Sequence, residues 1–154
     1  MTCSLWDTGG PECYARIRIL SYQNTAAFVI CFSVAQPHSF ENAKVLWLPE
    51  LRHFSRDVPI VLVGTKIDLR EDEKTLKQLR DNNQSVITRK MGEQLAKEIG
   101  AARYIECSAL TNEGMKETFS KILIVGANYS AKLLGQPPFS TPRSTSKPKR
   151  CIIC

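Results

Sequence analysis

Two stretches of the chain lack polar alternation: Ala26 to Phe32 and Pro59 to Gly64 are continuous apolar runs. Strands buried on both faces read this way, so each is predicted to lie inside a sheet covered on two sides. Between them Phe40, Ala43, Trp47, Leu51 and Phe54 recur every three or four residues, which predicts a helix capped by Ser39 and kinked at Pro49. The charged stretch from Arg70 to Gln84, with Leu76 and Leu79 three apart, fits a short helix lying mostly on the surface. Thr88 opens a further helix, with Met91, Leu95 and Ile99 on one face and Gly100 as its stop. Tyr104 to Cys107 reads as the next strand. A last helix starts near Asn112, turns Met115, Phe119, Ile122 and Leu123 to the sheet, and fades before Gly135. Strand and helix alternate throughout, which predicts an α/β fold with a mainly parallel sheet.

Composition places this pattern in one soluble domain, since 43% of the 154 residues are hydrophobic and 23% charged. The longest apolar run, Ala26 to Val34, is interrupted by Ser33 and falls well short of the ~20 residues that cross a bilayer. The first seven residues lack the basic and apolar segments of a secretory signal, so a cytoplasmic protein is expected. Six scattered cysteines fit that compartment, with Cys31 and Cys107 read as small core residues rather than disulfide partners. The net charge of +6 is concentrated at one end: residues 135–154 hold Arg143, Lys147, Lys149 and Arg150 and no acid. The rest is close to neutral, which argues against a nucleic-acid-binding surface and assigns the basicity to the tail. Rich in Pro, Ser, Thr and Lys, that tail is expected to be a flexible linker, leaving residues 1–134 as the folded unit.

Ligands of open parallel sheets bind beyond the carboxyl ends of the strands. Three candidate segments follow predicted strands there: Asp7, Thr65-Lys66-Ile67-Asp68, and Ser108-Ala109-Leu110. Guanine presents two adjacent donors, N1–H and the 2-amino group, beside the O6 acceptor. A carboxylate at Asp68 can accept from both donors, and this pairing rejects adenine, whose N1 would face the carboxylate with a lone pair. The backbone N–H of Ala109 suits O6, and the aliphatic stem of Lys66 can lie over the ring. Alone, the tetrapeptide would read as a polar loop after a strand. Its place after Val61-Leu62-Val63-Gly64, with Cys107-Ser108-Ala109-Leu110 after the next strand, shifts the balance.

With these motifs the chain resembles the Ras superfamily, from Leu5 to about Leu133. The 40 residues from Asp68 to Ser108 exceed what a loop, a helix, a loop and a strand require. The excess, about residues 70–84, looks like the Rho-family insert. Ser39-Phe40-Glu41-Asn42 and Trp47-Leu48-Pro49-Glu50 are also similar to Rho proteins, Rac-like members especially. The resemblance implies a P-loop NTPase-type, three-layer fold and a GTP/GDP-binding switch in signal transduction. Its site would comprise Asp7, Gly10, Thr65, Lys66, Asp68, Ser108, Ala109 and Leu110. Asp7 matches the carboxylate that holds magnesium, directly or through water, and Gly10 matches the glycine whose N–H contacts the terminal phosphate. Pro11 stands where the family has the glutamine that orients the attacking water, so hydrolysis should be slow. Gly9, in place of the family's alanine, adds backbone freedom in the same switch, and Cys13, Ala15 and Ile19 also depart from the family at a surface used by partners. Effector, exchange-factor and dissociation-inhibitor proteins are the partners implied.

A phosphate loop of the form G-x-x-x-x-G-K-[ST] occurs nowhere in the sequence, and no threonine-bearing first switch precedes Met1. The reading is therefore of an N-terminally truncated chain lacking the first strand, phosphate loop, first helix and first switch. Family topology sets the missing strand between residues 2–7 and 26–34, so the centre of the sheet is expected to be lost. The chain alone should be unstable and nucleotide-poor; a soluble monomer with submicromolar GDP affinity would refute that. The alternative is a non-enzymatic pseudo-GTPase or degenerate fragment that at most binds partners. Cys151-Ile152-Ile153-Cys154 reads as a prenylation box, with Cys151 the acceptor and the tail cations a second signal toward anionic lipid. Peripheral attachment to the cytoplasmic face of a membrane, the plasma membrane first, follows. A redox or metal pair at Cys151 and Cys154 is the minor reading, with His38 and His53 as ordinary surface or packing residues.

Overall fold

Alternate residues of the two apolar strands point to opposite faces of one sheet, and each face collects its own core. The computed structural model describes residues 3–8, 10 and 14–138, and the backbone of residues 149–153. In chain order the elements are β1 (Cys3–Asp7), α1 (Ala15–Ser21), β2 (Thr25–Ser33), α2 (Pro37–Asn42), a π-helical turn (Ala43–Trp47) and α3 (Leu48–Phe54). There follow β3 (Ile60–Thr65), a 3-10 turn (Ile67–Arg70), α4 (Glu73–Asp81), α5 (Arg89–Glu98), β4 (Arg103–Glu106), α6 (Met115–Leu133) and β5 (Lys149–Ile153). The five strands are ordered β1-β5-β2-β3-β4, and every pairing is parallel.

On one face Phe28, Ile30, Phe32, Ile60 and Leu62 pack with Ala43 and Leu51 from the π-helix and α3, and with Leu95 of α5 and Ile99 just after it. On the other, Ala27, Val29, Val61, Val63 and Ile105 pack against Ile122 of α6. The three layers agree with the expected P-loop NTPase-type fold. Cys107 is buried, as read from sequence, and burial pushes its thiol pKa up against a hydrogen bond with Thr118. Cys31 is only half-buried.

Several element boundaries follow from local chemistry. Thr88 caps α5 by accepting from the Met91 N–H at 3.3 Å, and Gly100 ends that segment at φ +65°. Asp72 caps α4 in the same way, accepting from the Thr75 N–H at 2.8 Å. Ser39, expected as a cap, lies inside α2, which begins at Pro37; its hydroxyl donates to the Gln36 carbonyl at 2.7 Å and accepts from the Ser33 N–H at 3.0 Å. Proline at the first helical turn has no N–H to leave unsatisfied, so Pro37 makes the better start. Pro49 likewise sits at the start of α3, and the expected kink takes the form of the π-helical turn before it.

Two further differences concern α6 and the sheet. Phe119, Leu123 and Ile124 of α6 remain 42%, 39% and 51% exposed, so the apolar arc of that helix is wider than the sheet covers. The second is β5. The slot expected to be empty between β1 and β2 is filled by Lys149–Ile153, a segment whose composition predicted a flexible tail.

Candidate functional site

The loops after β3 and β4 are brought together at the carboxyl end of the sheet. The chain leaves β3 at Thr65, whose hydroxyl donates to the Phe32 carbonyl at 2.9 Å. It reverses through Lys66, an exposed residue in the left-handed region at φ 59°, ψ 40°. That conformation costs a non-glycine residue roughly 1 kcal/mol. The turn delivers Asp68 towards the β4 loop, where the Ser108 hydroxyl donates to its Oδ1. Ser108 is itself fully buried and accepts from the Thr111 N–H at 3.2 Å, while its own N–H donates to the Glu113 carbonyl at 2.9 Å. The sequence reading paired these two loops, and the structure joins them through Asp68 and Ser108, 40 residues apart.

One bond from Ser108 uses one of about four lone-pair positions on the carboxylate. Asp68 therefore retains acceptors for a ligand's paired N–H groups. Ala109 and Leu110, exposed at the rim, border the same opening, Leu110 to 82%. Gly114 closes the loop from below: it adopts φ +69°, and a Cβ there would come within 2.3 Å of the Glu106 carbonyl oxygen. A side chain at that position would push Ser108 to Leu110 off the end of the sheet.

A second shell of charge fixes the loop, and sequence reasoning missed it. Arg70 binds Glu106 in a fork, Nη1 donating to Oε2 at 2.8 Å and Nη2 to Oε1 at 2.5 Å, while its Nε donates to the Ile87 carbonyl at 3.1 Å. The Tyr104 hydroxyl donates to Glu106 Oε1 at 2.6 Å, and the Tyr104 ring stacks on Phe32. Arg89 approaches Glu106 at 3.8 Å. Burial opposes charge on Glu106, but Arg70 and Tyr104, with Arg89 beyond them, outweigh it and hold the carboxyl below its ordinary value. Burial, reinforced by that carboxylate, pushes the Tyr104 phenol up. Gly92 permits the arrangement, because a Cβ there would lie 2.1 Å from the Tyr104 ring. The available signal was an acid ending an apolar strand, paired with an arginine two residues beyond Asp68.

The other candidate residues stand apart. Asp7 is exposed at the end of β1, three strands from β3, so a sideways distance of roughly 14 Å follows from strand spacing. That suits a ligand lying across the strand ends and not a single small group. Gly10 is exposed beside the Trp47 ring. Among the described residues no cluster of three or more His, Cys, Asp or Glu can hold a metal, so Asp7 could serve magnesium only as a lone carboxylate. Magnesium accepts such a ligand when phosphate and water supply the rest. Gly9, Pro11 and Cys13 lie outside the described residues, as do Cys154 and the Cys151 side chain.

The helix that follows Asp7 and Gly10 is anchored by its own fork. Arg18 Nε and Nη2 donate to Glu50 at 2.9 Å each, Tyr22 donates to the same carboxylate at 2.5 Å, and the guanidinium lies 4.9 Å from the Trp47 ring centroid. The hydrogen bond from Arg18 leads the effects that lower the Glu50 pKa, against the cost of burial. On its outer side α1 shows Ile17 and Leu20, 68% and 69% exposed.

The Ras family model matches residues 1–125, which hold Asp7, Thr65 to Asp68 and Ser108 to Leu110. The chain belongs to the Ras family. Members of this family are small GTPase switches that bind GTP or GDP with magnesium and act through regulatory and effector partners. The matched region thus holds the Asp68–Ser108 junction, which is braced by its own hydrogen bonds, while among the described residues the end of β1 carries the Asp7 carboxylate with Gly10 beyond it.

Proposed function

We propose that this chain is a Rho-type guanine-nucleotide switch, anchored peripherally at the cytoplasmic face of a membrane, with base recognition by Asp68, Lys66, Ala109 and Ser108. The Ser108–Asp68 hydrogen bond carries the reading: it fixes a carboxylate at the rim with acceptors left for N1–H and the 2-amino group. Thr65 and Leu110 line the turns on either side. The Rho assignment is supported by α4, an additional surface helix between Asp68 and β4 whose Leu79 alone is buried. Ile17 and Leu20 offer an apolar surface for effector, exchange-factor or dissociation-inhibitor proteins. Prenylation at Cys151, helped by the tail cations, is the proposed anchor. With no phosphate-loop lysine in the sequence, and proline at position 11, nucleotide is held weakly and turned over slowly by the chain as given.

Titration with a fluorescent GDP tests this directly. Asp68→Ala removes two charge-assisted hydrogen bonds, and affinity should fall at least about tenfold. Asp68→Asn exchanges an acceptor for a donor and should move preference from guanosine to xanthosine diphosphate, whose C2 carries a carbonyl. Equal binding by wild type and both variants would sink the base-recognition reading.

A further inference from the structure

β5 is the strand that enters the sheet out of chain order, and it does so at the centre. Cys3 to Asp7 pair with Lys149 to Ile153 residue for residue. On the other side the segment follows β2 from Thr25 to Val29, with a shift in register between Thr25 and Ala27. Cys151 thus lies between Leu5 and Ala27. Three conditions make this a fitting occupant. Thr25 to Val29 are at most 6% exposed with β5 in place, and without it the N–H and C=O groups on that side of β2 would lose their strand partners. Cys151-Ile152-Ile153 is apolar throughout, as a central parallel strand requires, and in the sequence the nearest proline falls at 148, outside the paired residues. The route is also allowed. The chain advances from β2 to β4 with its connecting helices on one face and returns to β5 with α6 on the other, and reversing both direction and face preserves the hand of the crossover.

We infer that the slot between β1 and β2 is a strand-acceptor site for the chain's own C-terminus, and that its occupancy withholds Cys151 from lipid transfer. The first half stands on the pairing; the second rests on the prenylation proposed above. In that reaction the Cys151 thiolate attacks the C1 carbon of a prenyl diphosphate. The C–S bond forms, the C–O bond breaks, diphosphate leaves with the electron pair, and the thiol proton passes to solvent. A transferase must take the tetrapeptide extended and unpaired. Cys151, Ile152 and Ile153 therefore serve as central strand or as part of the lipid-accepting tetrapeptide, never both at once. Any strand supplied to the slot in trans, or by added chain upstream of β1, releases the tail.

The test compares the full chain, Arg150→Pro and Arg150→Gln. Proline at 150 removes a backbone donor from the strand outside the tetrapeptide, and glutamine controls for lost charge. Iodoacetamide labelling of Cys151, mapped by mass spectrometry, and transfer from a prenyl diphosphate by purified prenyltransferase are the readouts. Native wild type should label at least about tenfold more slowly than its own urea-unfolded form, a comparison that needs no variant. Arg150→Pro should abolish that protection and accelerate lipid transfer, while Arg150→Gln should behave as wild type. A synthetic peptide of residues 149–153 with serine for cysteine, added in excess, should raise labelling of wild type. Equal labelling of native and unfolded wild type overturns the proposal. Protection of native Cys151 with no prenyl transfer even to Arg150→Pro leaves the strand in place and removes the lipid reading alone.

Discussion

The two halves of the sheet are held together by different means. β2, β3 and β4 are consecutive strands joined by helices, with β2 and β3 buried on both faces and the site braced by the Arg70–Glu106 fork. β1 and β5 come from opposite ends of the chain; Leu5 and Trp6 of β1 are 49% and 41% exposed, and β5 reaches its place across a connection of some fifteen residues. On the function proposed above, base recognition would fall on the first half and the magnesium carboxylate on the second, so a nucleotide lying across the strand ends would meet a braced wall on one side and, on the other, one completed from the far end of the chain.

The largest effect that sharpens this contrast is a core truncation. Leu62→Ala, in the middle of β3, should cost about 2–5 kcal/mol in urea unfolding, and Leu5→Ala less than about 1 kcal/mol; similar losses would break the comparison. Next come the two charge forks. Glu106→Ala leaves Arg70 facing a vacated site and should cost about 3 kcal/mol together with a loss of guanine-nucleotide affinity. Glu50→Ala removes the carboxylate that binds Arg18, whose side chain is 3% exposed; it should destabilise comparably and leave base preference unchanged. Differential scanning calorimetry and competition between GDP and ADP separate the two.

A smaller effect is the acid limb. Both Glu50 and Glu106 are held below the ordinary value of 4.5 in the fold. Such groups contribute stability that is fully present above 4.5 and is lost as pH falls through their folded values. Melting temperature should therefore be flat with respect to these two groups above that pH and decline below it, and Glu106→Gln should reduce the slope. Smallest of all, the exposed Lys44–Glu98 pair at 2.7 Å is screened by water, so Lys44→Ala should leave the urea midpoint nearly unchanged.

Legibility from sequence divides along similar lines. β2 and β3 were visible because a parallel central strand imposes an unbroken apolar run, and Thr88 and Gly100 announced the ends of α5 by side-chain and backbone chemistry. The loop carrying Asp68 was visible because its chemistry sits at a strand end. Glu106 was not, since a single acid acquires meaning only when folding sets Arg70, Tyr104 and Arg89 around it. Ser39 misled because its hydroxyl had a nearer partner in the Gln36 carbonyl. β5 was hidden most completely: composition over residues 135–154 describes an average, and three apolar residues behind Pro148 suffice to complete a sheet whose vacancy lies far away in sequence.

β1 also forms the outer edge of that sheet, carrying two large, half-exposed apolar side chains on a strand of five residues. Such an edge is a template on which further chains can stack. Colloidal behaviour thus becomes the practical limit of the molecule: the concentration at which it clumps, and the attention it draws from chaperones, depend on β1 rather than on the depth of its core. Lysine in place of Leu5 should raise recoverable yield without touching the nucleotide-facing loops.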